Sequence, residues 1–222
     1  MTTLQQQNEL LTLIGENLKE KTECYLIGGS AMLCYGMKNV TKDIDIVFAS
    51  DKERKDVIHF LKSIGYKERE TKILYTQRLS TKNKYIPLLL QKGEDRFDIF
   101  LNGIIDFKLT ESIKERITSV YEFSNLIVKV VSPEDIISLK CATERAGDRL
   151  DAAEIIKKVE INWDIIIKES IHQTEIGHYL FAVFLFDFLE ELKEDHKADI
   201  PKEVIKKVRK IAEEQMIKHL KK

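Results

Sequence analysis

Cysteine is scarce: the 222 residues hold three, Cys24, Cys34 and Cys141, widely separated and with no Cys-x-x-Cys pair among them. An odd, scattered set argues against a disulfide framework and against a cysteine zinc site, and a reducing, cytoplasmic setting is expected. The five histidines show no i, i+4 spacing, so a histidine zinc site is not expected either. Long apolar runs are missing as well. The longest, "YLFAVFLF" over 179–186, ends at Asp187 and is far too short to span a bilayer. The opening "MTTLQQQNELLTLIGENLKEK" lacks the basic head and continuous apolar stretch of a signal peptide, so no membrane partner is expected. Nor is there an excess of charge: 36 basic residues against 37 acidic ones leave a net charge of −1. No overall field attracts nucleic acid or a lipid surface, and a polyanion would have to be met by a local patch.

What is present is the composition of a globular chain, 43% hydrophobic and 33% charged, long enough for one domain or two modest ones. Leu4, Leu10, Leu11, Leu13, Ile14 and Leu18 recur at helical spacing, which predicts a helix over 4–20 with one buried face. "CYLI" (24–27) reads as a short strand running into two glycines, and "SAMLCYG" as a brief helix capped by Ser30 and closed by Gly36. "DIDIVF" (43–48) is a strand, and Asp51 opens a helix stopped by Gly65. "YIPLLLQ" and "RFDIFLN" surround "KGED" as a hairpin, and "LIVKVVS" (126–132) adds a strand. From Pro133 the pattern is helical, over 133–144, 148–159, 162–172, 176–194 and 201–220. There is no internal repeat and no low-complexity linker. The expected fold class is α+β, a mixed β-sheet flanked by helices over 1–132 followed by a C-terminal helical region over 133–222.

The chemistry concentrates in "GGSAMLCYGMKNVTKDID". Successive side chains of a strand point to opposite faces, so Asp43 and Asp45 share one face, about 7 Å apart along the backbone, while Ile44 and Ile46 share the other. Two carboxylates this close repel unless a cation stabilises them, and Mg²⁺ (or Mn²⁺) does so readily with one or two carboxylates plus phosphate oxygens. Asp98, between Phe97 and Ile99, supplies a third carboxylate if its strand lies beside 43–48. A slip in register would put Asp95 or Asp106 there instead. Three converging carboxylates could hold two metal ions for in-line displacement at phosphorus. Gly28 and Gly29 let a ligand approach the backbone closely, and Ser30 adds a hydroxyl donor for a triphosphate.

"LIGGSAMLCYGMKNVTKDIDIVF" resembles the signature of the nucleotidyltransferase (polymerase beta-like) superfamily, in which an apolar residue, Gly and Gly or Ser precede an Asp-apolar-Asp unit. Asp98 in "FDIF" matches its separate third carboxylate. The resemblance implies a palm fold that binds a nucleoside triphosphate with Mg²⁺ and transfers a nucleotidyl group to a hydroxyl. "SPEDIISLKCATERAGDRLDAAEII" is similar to the downstream helix pair of the AbiEii-type (type IV toxin) branch. Lys140, Arg145, Asp148 and Asp151 fall on that pattern, and in the toxins the corresponding Lys and Asp belong to the active site. Where that branch often carries Arg, this chain has Asn39, with Lys38 and Lys42 as the nearby cations.

The resulting expectation is a nucleotidyltransferase with Asp43, Asp45 and Asp98 on metal, Gly28, Gly29, Ser30 and Lys42 on the triphosphate, and Lys140 facing the charge that develops as pyrophosphate leaves. The acceptor is left open between an RNA or tRNA end, a protein and a small molecule. A toxin–antitoxin partner or a homo-oligomer remains open too. The alternative is a nucleotide-binding regulatory module with the same fold and no turnover. Arg145, Asp148 and Asp151 read equally as a salt-bridge cluster across one helix turn. "HYLFAVFLFDFLEEL" reads as a buried helix or an oligomer interface. The tail "PKEVIKKVRKIAEEQMIKHLKK" reads as a helix that packs through Val204, Ile205, Val208, Ile211 and Ile217, with a basic outer face.

Overall fold

The computed structural model describes residues 1–69, 85–117, 119–143, 145–178 and 180–220. Glu144 and Tyr179, which the expected helices 133–144 and 176–194 include, and the His219 side chain lie outside the described residues. The chain divides into two compact units, Met1–Ser132 and Pro133–Lys222.

In the first unit a short strand β1 (Thr2–Thr3) leads into helix α1 (Leu4–Asn17). Thr3 and Gln6 form a reciprocal capping box there, which answers two otherwise orphaned amide groups of the first turn. The buried stripe of α1 runs through Gln7, Leu11 and Ile14, while Leu4 and Leu13 are exposed. Strand β2 (Thr22–Leu26), helix α2 (Gly28–Cys34), strand β3 (Val40–Thr41) and strand β4 (Ile44–Phe48) follow. Helix α2 begins at Gly28, two residues before the expected cap, and no side chain caps it; Ser30 lies within its first turn. Helix α3 (Asp51–Ser63) is capped by Ser50, which accepts from the Glu53 amide, and ends before Gly65, whose φ of 99° suits glycine.

Strand β5 (Lys67–Arg69) precedes the hairpin of β6 (Leu88–Lys92) and β7 (Asp95–Leu101), which turns at Gly93. Short strands β8 (Gly103–Ile104) and β9 (Phe107–Lys108), helix α4 (Glu111–Glu115), and strands β10 (Ser119–Phe123) and β11 (Leu126–Val130) complete the unit. Strand β10 is not marked in the sequence because its hairpin turns on Ser124, at φ 56°, with neither glycine nor proline to signal it.

Among the described residues seven strands form one mixed sheet in the order β10-β11-β2-β4-β7-β6-β5. Strand β4 lies at its centre, antiparallel to β2 and parallel to β7. On one face of that central pair Ile44, Ile46, Phe97 and Ile99 are fully buried, and each such side chain contributes about 1.5–3 kcal/mol relative to exposure. Helix α3 packs on β4 and β7, and α1 on β10 and β11. The opposite face carries Asp45 and Asp98.

Among its described residues the second unit is helical, with α5 (Pro133–Cys141), α6 (Ala146–Lys158), α7 (Trp163–Glu175), α8 (Phe181–Glu194) and α9 (Lys202–Leu220). Its core gathers Ile136, Ile155, Ile166, Phe181, Leu185, Phe188 and Leu192, so α8 presents a buried stripe at helical spacing. In α9 Val208 and Ala212 are buried and Val204, Ile205 and Ile211 half-buried. Ile217, expected to pack, is exposed, because the stripe set by Val208 and Ala212 has rotated past it. Among the described residues no helix is long and apolar enough to cross a membrane.

Candidate functional site

Strand β2 ends at Leu26, Ile27 is still extended, and Gly28 turns the chain into α2 with φ 56°. Two independent constraints require glycine at this position. Its φ is open to few other residues, and a Cβ there would lie 2.7 Å from Oδ2 of Asp45. Gly29 has a single constraint: a Cβ would lie 2.4 Å from Oγ1 of Thr41. The two glycines thus let α2 close directly onto the acidic segment. The same position at Gly29 lies 3.9 Å from Nζ of Lys38, so Lys38 reaches the glycine turn, whereas Lys42 is exposed.

Ser30 was expected to offer its hydroxyl to a triphosphate. The structure instead buries it completely and uses the hydroxyl on both sides of Ile44: Oγ donates to the Asp43 carbonyl at 3.2 Å and accepts from the Asp45 amide at 3.3 Å. The Thr41 hydroxyl donates to the same Asp43 carbonyl at 3.2 Å, and the Ile27 amide donates to the Asp45 carbonyl at 3.2 Å. Residues 43–45 are therefore tied at both ends to Ser30 and, through Asp45, to Ile27, which fixes the backbone that carries both aspartates.

Strand β4 proper begins at Ile44, so Asp43 stands one residue before it. In the parallel pairing of β4 with β7, Asp45 is directly opposite Asp98, and neighbouring strands lie about 4.8 Å apart. Asp98 is buried, at 8% exposure, and its other neighbour across the ladder is Leu89 of β6. Of the candidates for the third carboxylate, Asp95 pairs with Lys92 at the hairpin end and Asp106 lies between β8 and β9; neither is in register with Asp45. Asp43 Oδ1 lies 3.4 Å from Nη1 of Arg96, both partly exposed. Arg96 and Thr41 were not singled out as site residues from the sequence. The signal for Arg96 was available: it stands two residues before Asp98, and a period of two puts both on one face.

Among the described residues no three Asp, Glu, His or Cys side chains gather closely enough to hold a metal ion. Asp45 and Asp98 nevertheless offer the one or two carboxylates that Mg²⁺ takes alongside water and substrate oxygens, so the donor set fits a hard divalent ion, with Asp43 engaged by Arg96.

The second charged group lies in the second unit. Lys140 Nζ donates to Asp148 Oδ1 at 2.9 Å and to Asp151 Oδ2 at 2.7 Å, and Arg145 Nε donates to Asp148 Oδ2 at 2.8 Å. The Thr143 hydroxyl also donates to Asp148. Lys140 and Asp148 are almost fully buried. Burial alone would raise the Asp148 pKa, but the Lys140 and Arg145 charges and the Thr143 hydroxyl outweigh it and hold it at about 2. The salt-bridge reading of Arg145, Asp148 and Asp151 is therefore realised, and Lys140 is its centre. It ties α5 to α6.

A profile described as "Nucleotidyl transferase of unknown function (DUF2204)" matches residues 7–222, and the chain belongs to that family. Among solved structures, ANT(2")-Ia in complex with adenylyl-2"-tobramycin aligns at 15% identity and a TM-score of 0.41, over 83% of this chain and 98% of that one. An antigenic nucleotidyltransferase-like protein from Paracoccidioides brasiliensis aligns at 12% identity and a TM-score of 0.38, over 82% and 93%. No curated protein sequence matches.

Proposed function

We propose that this chain transfers a nucleoside monophosphate from a nucleoside triphosphate to a hydroxyl acceptor, at the face of the sheet that carries Asp45 and Asp98. The observation that carries the reading is their direct opposition in the β4–β7 ladder beside the Gly28 turn. Two carboxylates directly opposed across strands suit a site that takes a divalent cation.

In this mechanism the acceptor hydroxyl attacks the α-phosphorus and pyrophosphate leaves. Asp45 and Asp98 would hold Mg²⁺ or Mn²⁺, which when bound supplies Lewis-acid polarisation of phosphoryl oxygens. Asp98 accepts the proton of the attacking hydroxyl, and Asp43 joins the acidic set when it leaves Arg96. Gly28 and Gly29, expected to admit the triphosphate, instead leave room for Asp45 and Thr41 and so bring the glycine turn against the acidic segment, and Ser30 positions the two aspartates. Lys38, at the glycine turn, and Lys42 are the nearby cations for the phosphates. Lys140, expected to face the pyrophosphate, is engaged by Asp148 and Asp151 within the second unit, and no step is assigned to it.

The test is to incubate the protein with each labelled nucleoside triphosphate, Mg²⁺ or Mn²⁺, and total cellular RNA, protein or small-molecule extract. Label entering one acceptor fraction, and lost in Asp98→Asn, supports the reading. No label with any donor, or equal labelling by Asp98→Asn, overturns it. Nucleotide binding retained without transfer would instead favour the regulatory-module alternative. The toxin–antitoxin placing rests on the likeness of Lys140 to Asp151 to the AbiEii pattern, and growth arrest on expression tests it.

A further inference from the structure

Position 7 belongs to the buried stripe of α1, in step with Leu11 and Ile14, and the periodicity asks for an apolar residue there. It is glutamine, wholly buried, and its amide oxygen Oε1 has no hydrogen-bond partner among the described residues. An orphaned buried acceptor is a net cost to folding, which methionine or leucine of similar volume would remove. The amide nitrogen is engaged: Nε2 donates to the Ser30 carbonyl at 3.4 Å and lies 3.6 Å from Sγ of Cys34. The Ser30 carbonyl can only accept, so it sets the amide's orientation and leaves Oε1 on the unanswered side.

Ser30 is the residue whose hydroxyl spans the Asp43 carbonyl and the Asp45 amide. Ser30 therefore links α1 to the backbone of both aspartates, receiving Gln7 on its carbonyl and holding Asp43 and Asp45 with its hydroxyl. We propose that Gln7 is a positioning residue for the acidic site, its amide holding Ser30 so that Asp45 stays opposite Asp98. The link between Gln7 and the Asp45 backbone stands by itself; its consequence for nucleotide transfer rests on the function proposed above. Gln7 acts through Ser30 and touches no reacting atom. Its retention at an apolar position exchanges stability for order at the site.

The experiment compares Gln7→Met and Gln7→Leu with the wild-type full chain. Amide hydrogen exchange is read across residues 41–46, melting temperature is measured, and Mg²⁺-nucleoside triphosphate binding is titrated with each of the common nucleotides. Exchange at the Asp45 amide is expected to quicken roughly fivefold, the scale of one net hydrogen bond. The melting temperature is expected to hold or rise, and nucleotide affinity to fall. Unchanged exchange over 41–46 overturns the proposal. So does a fall in melting temperature with faster exchange spread evenly through α1 and α2, because that is the signature of lost packing. Should the wild type bind no nucleotide, the proposed function fails, while the exchange and melting data still decide the role of Gln7.

Discussion

Both units carry aspartates close together, and they treat them in opposite ways. In the sheet, Asp45 stands directly opposite another acid, Asp98, and Asp43 lies 3.4 Å from a partly exposed arginine. In the helical unit the acids Asp148 and Asp151 are answered by Lys140, with the half-exposed Arg145 beside Asp148, at distances of 2.7–2.9 Å, and Lys140 and Asp148 are largely out of water. A cluster centred on a buried lysine holds helices in place, whereas two acids set directly opposite one another suit a site that takes a cation. The same residue type thus marks structure in one place and chemistry in the other, and its partners decide which.

Lys140→Met breaks this contrast most severely, because it removes the buried cation that Asp148 and Asp151 share and leaves Asp148 to the half-exposed Arg145. A loss of about 3–5 kcal/mol is expected in urea unfolding. Asp98→Asn should act the other way on stability, since it removes a cross-strand repulsion: the melting temperature holds or rises while transfer falls by about two to three orders of magnitude. Thermal melts run alongside the transfer assay read both halves.

Acid should separate the units next. The Asp148 pKa is depressed from 3.8 to about 2 in the folded state, so its contribution is fully present above about pH 4 and is lost as the pH falls through about 2. That contribution is worth about 2 kcal/mol, and Asp148→Asn should flatten the melting temperature across the same window. The smallest effect on stability belongs to Arg96→Met, below about 1 kcal/mol because the pair is partly exposed. It sharpens the comparison through binding: freeing Asp43 should tighten Mn²⁺ binding by calorimetry, and unchanged affinity would show that Asp43 does not compete between Arg96 and metal.

The short-range features of the fold were legible before any coordinates. Period-two alternation separated Asp43 and Asp45 from Ile44 and Ile46, helical spacing located α1, α3 and the helices after Pro133, and "KGED" marked the β6–β7 hairpin. Elements of two or three residues, such as β1, β3, β8 and β9, are too short to carry a period and exist only because a partner strand lies beside them. Strand β10 was missed because its turn uses Ser124. The Ser30 hydroxyl was assigned to ligand because nothing local shows that Asp43 and Asp45 fold over it, thirteen and fifteen residues away.

By itself the sequence determined which residues bear charge, which face of each strand or helix they share, and where glycine frees the backbone, since these follow from covalent geometry and periods of two and 3.6 residues. Only the tertiary structure decided that Asp45 meets Asp98 and not Asp95 or Asp106, that Gly28 makes room for a carboxylate, and that Lys140 is already engaged by two aspartates. Those are questions of which distant segment becomes the neighbour. Strand pairing and helix packing answer them through the summed burial of the whole core, which no single stretch of chain encodes.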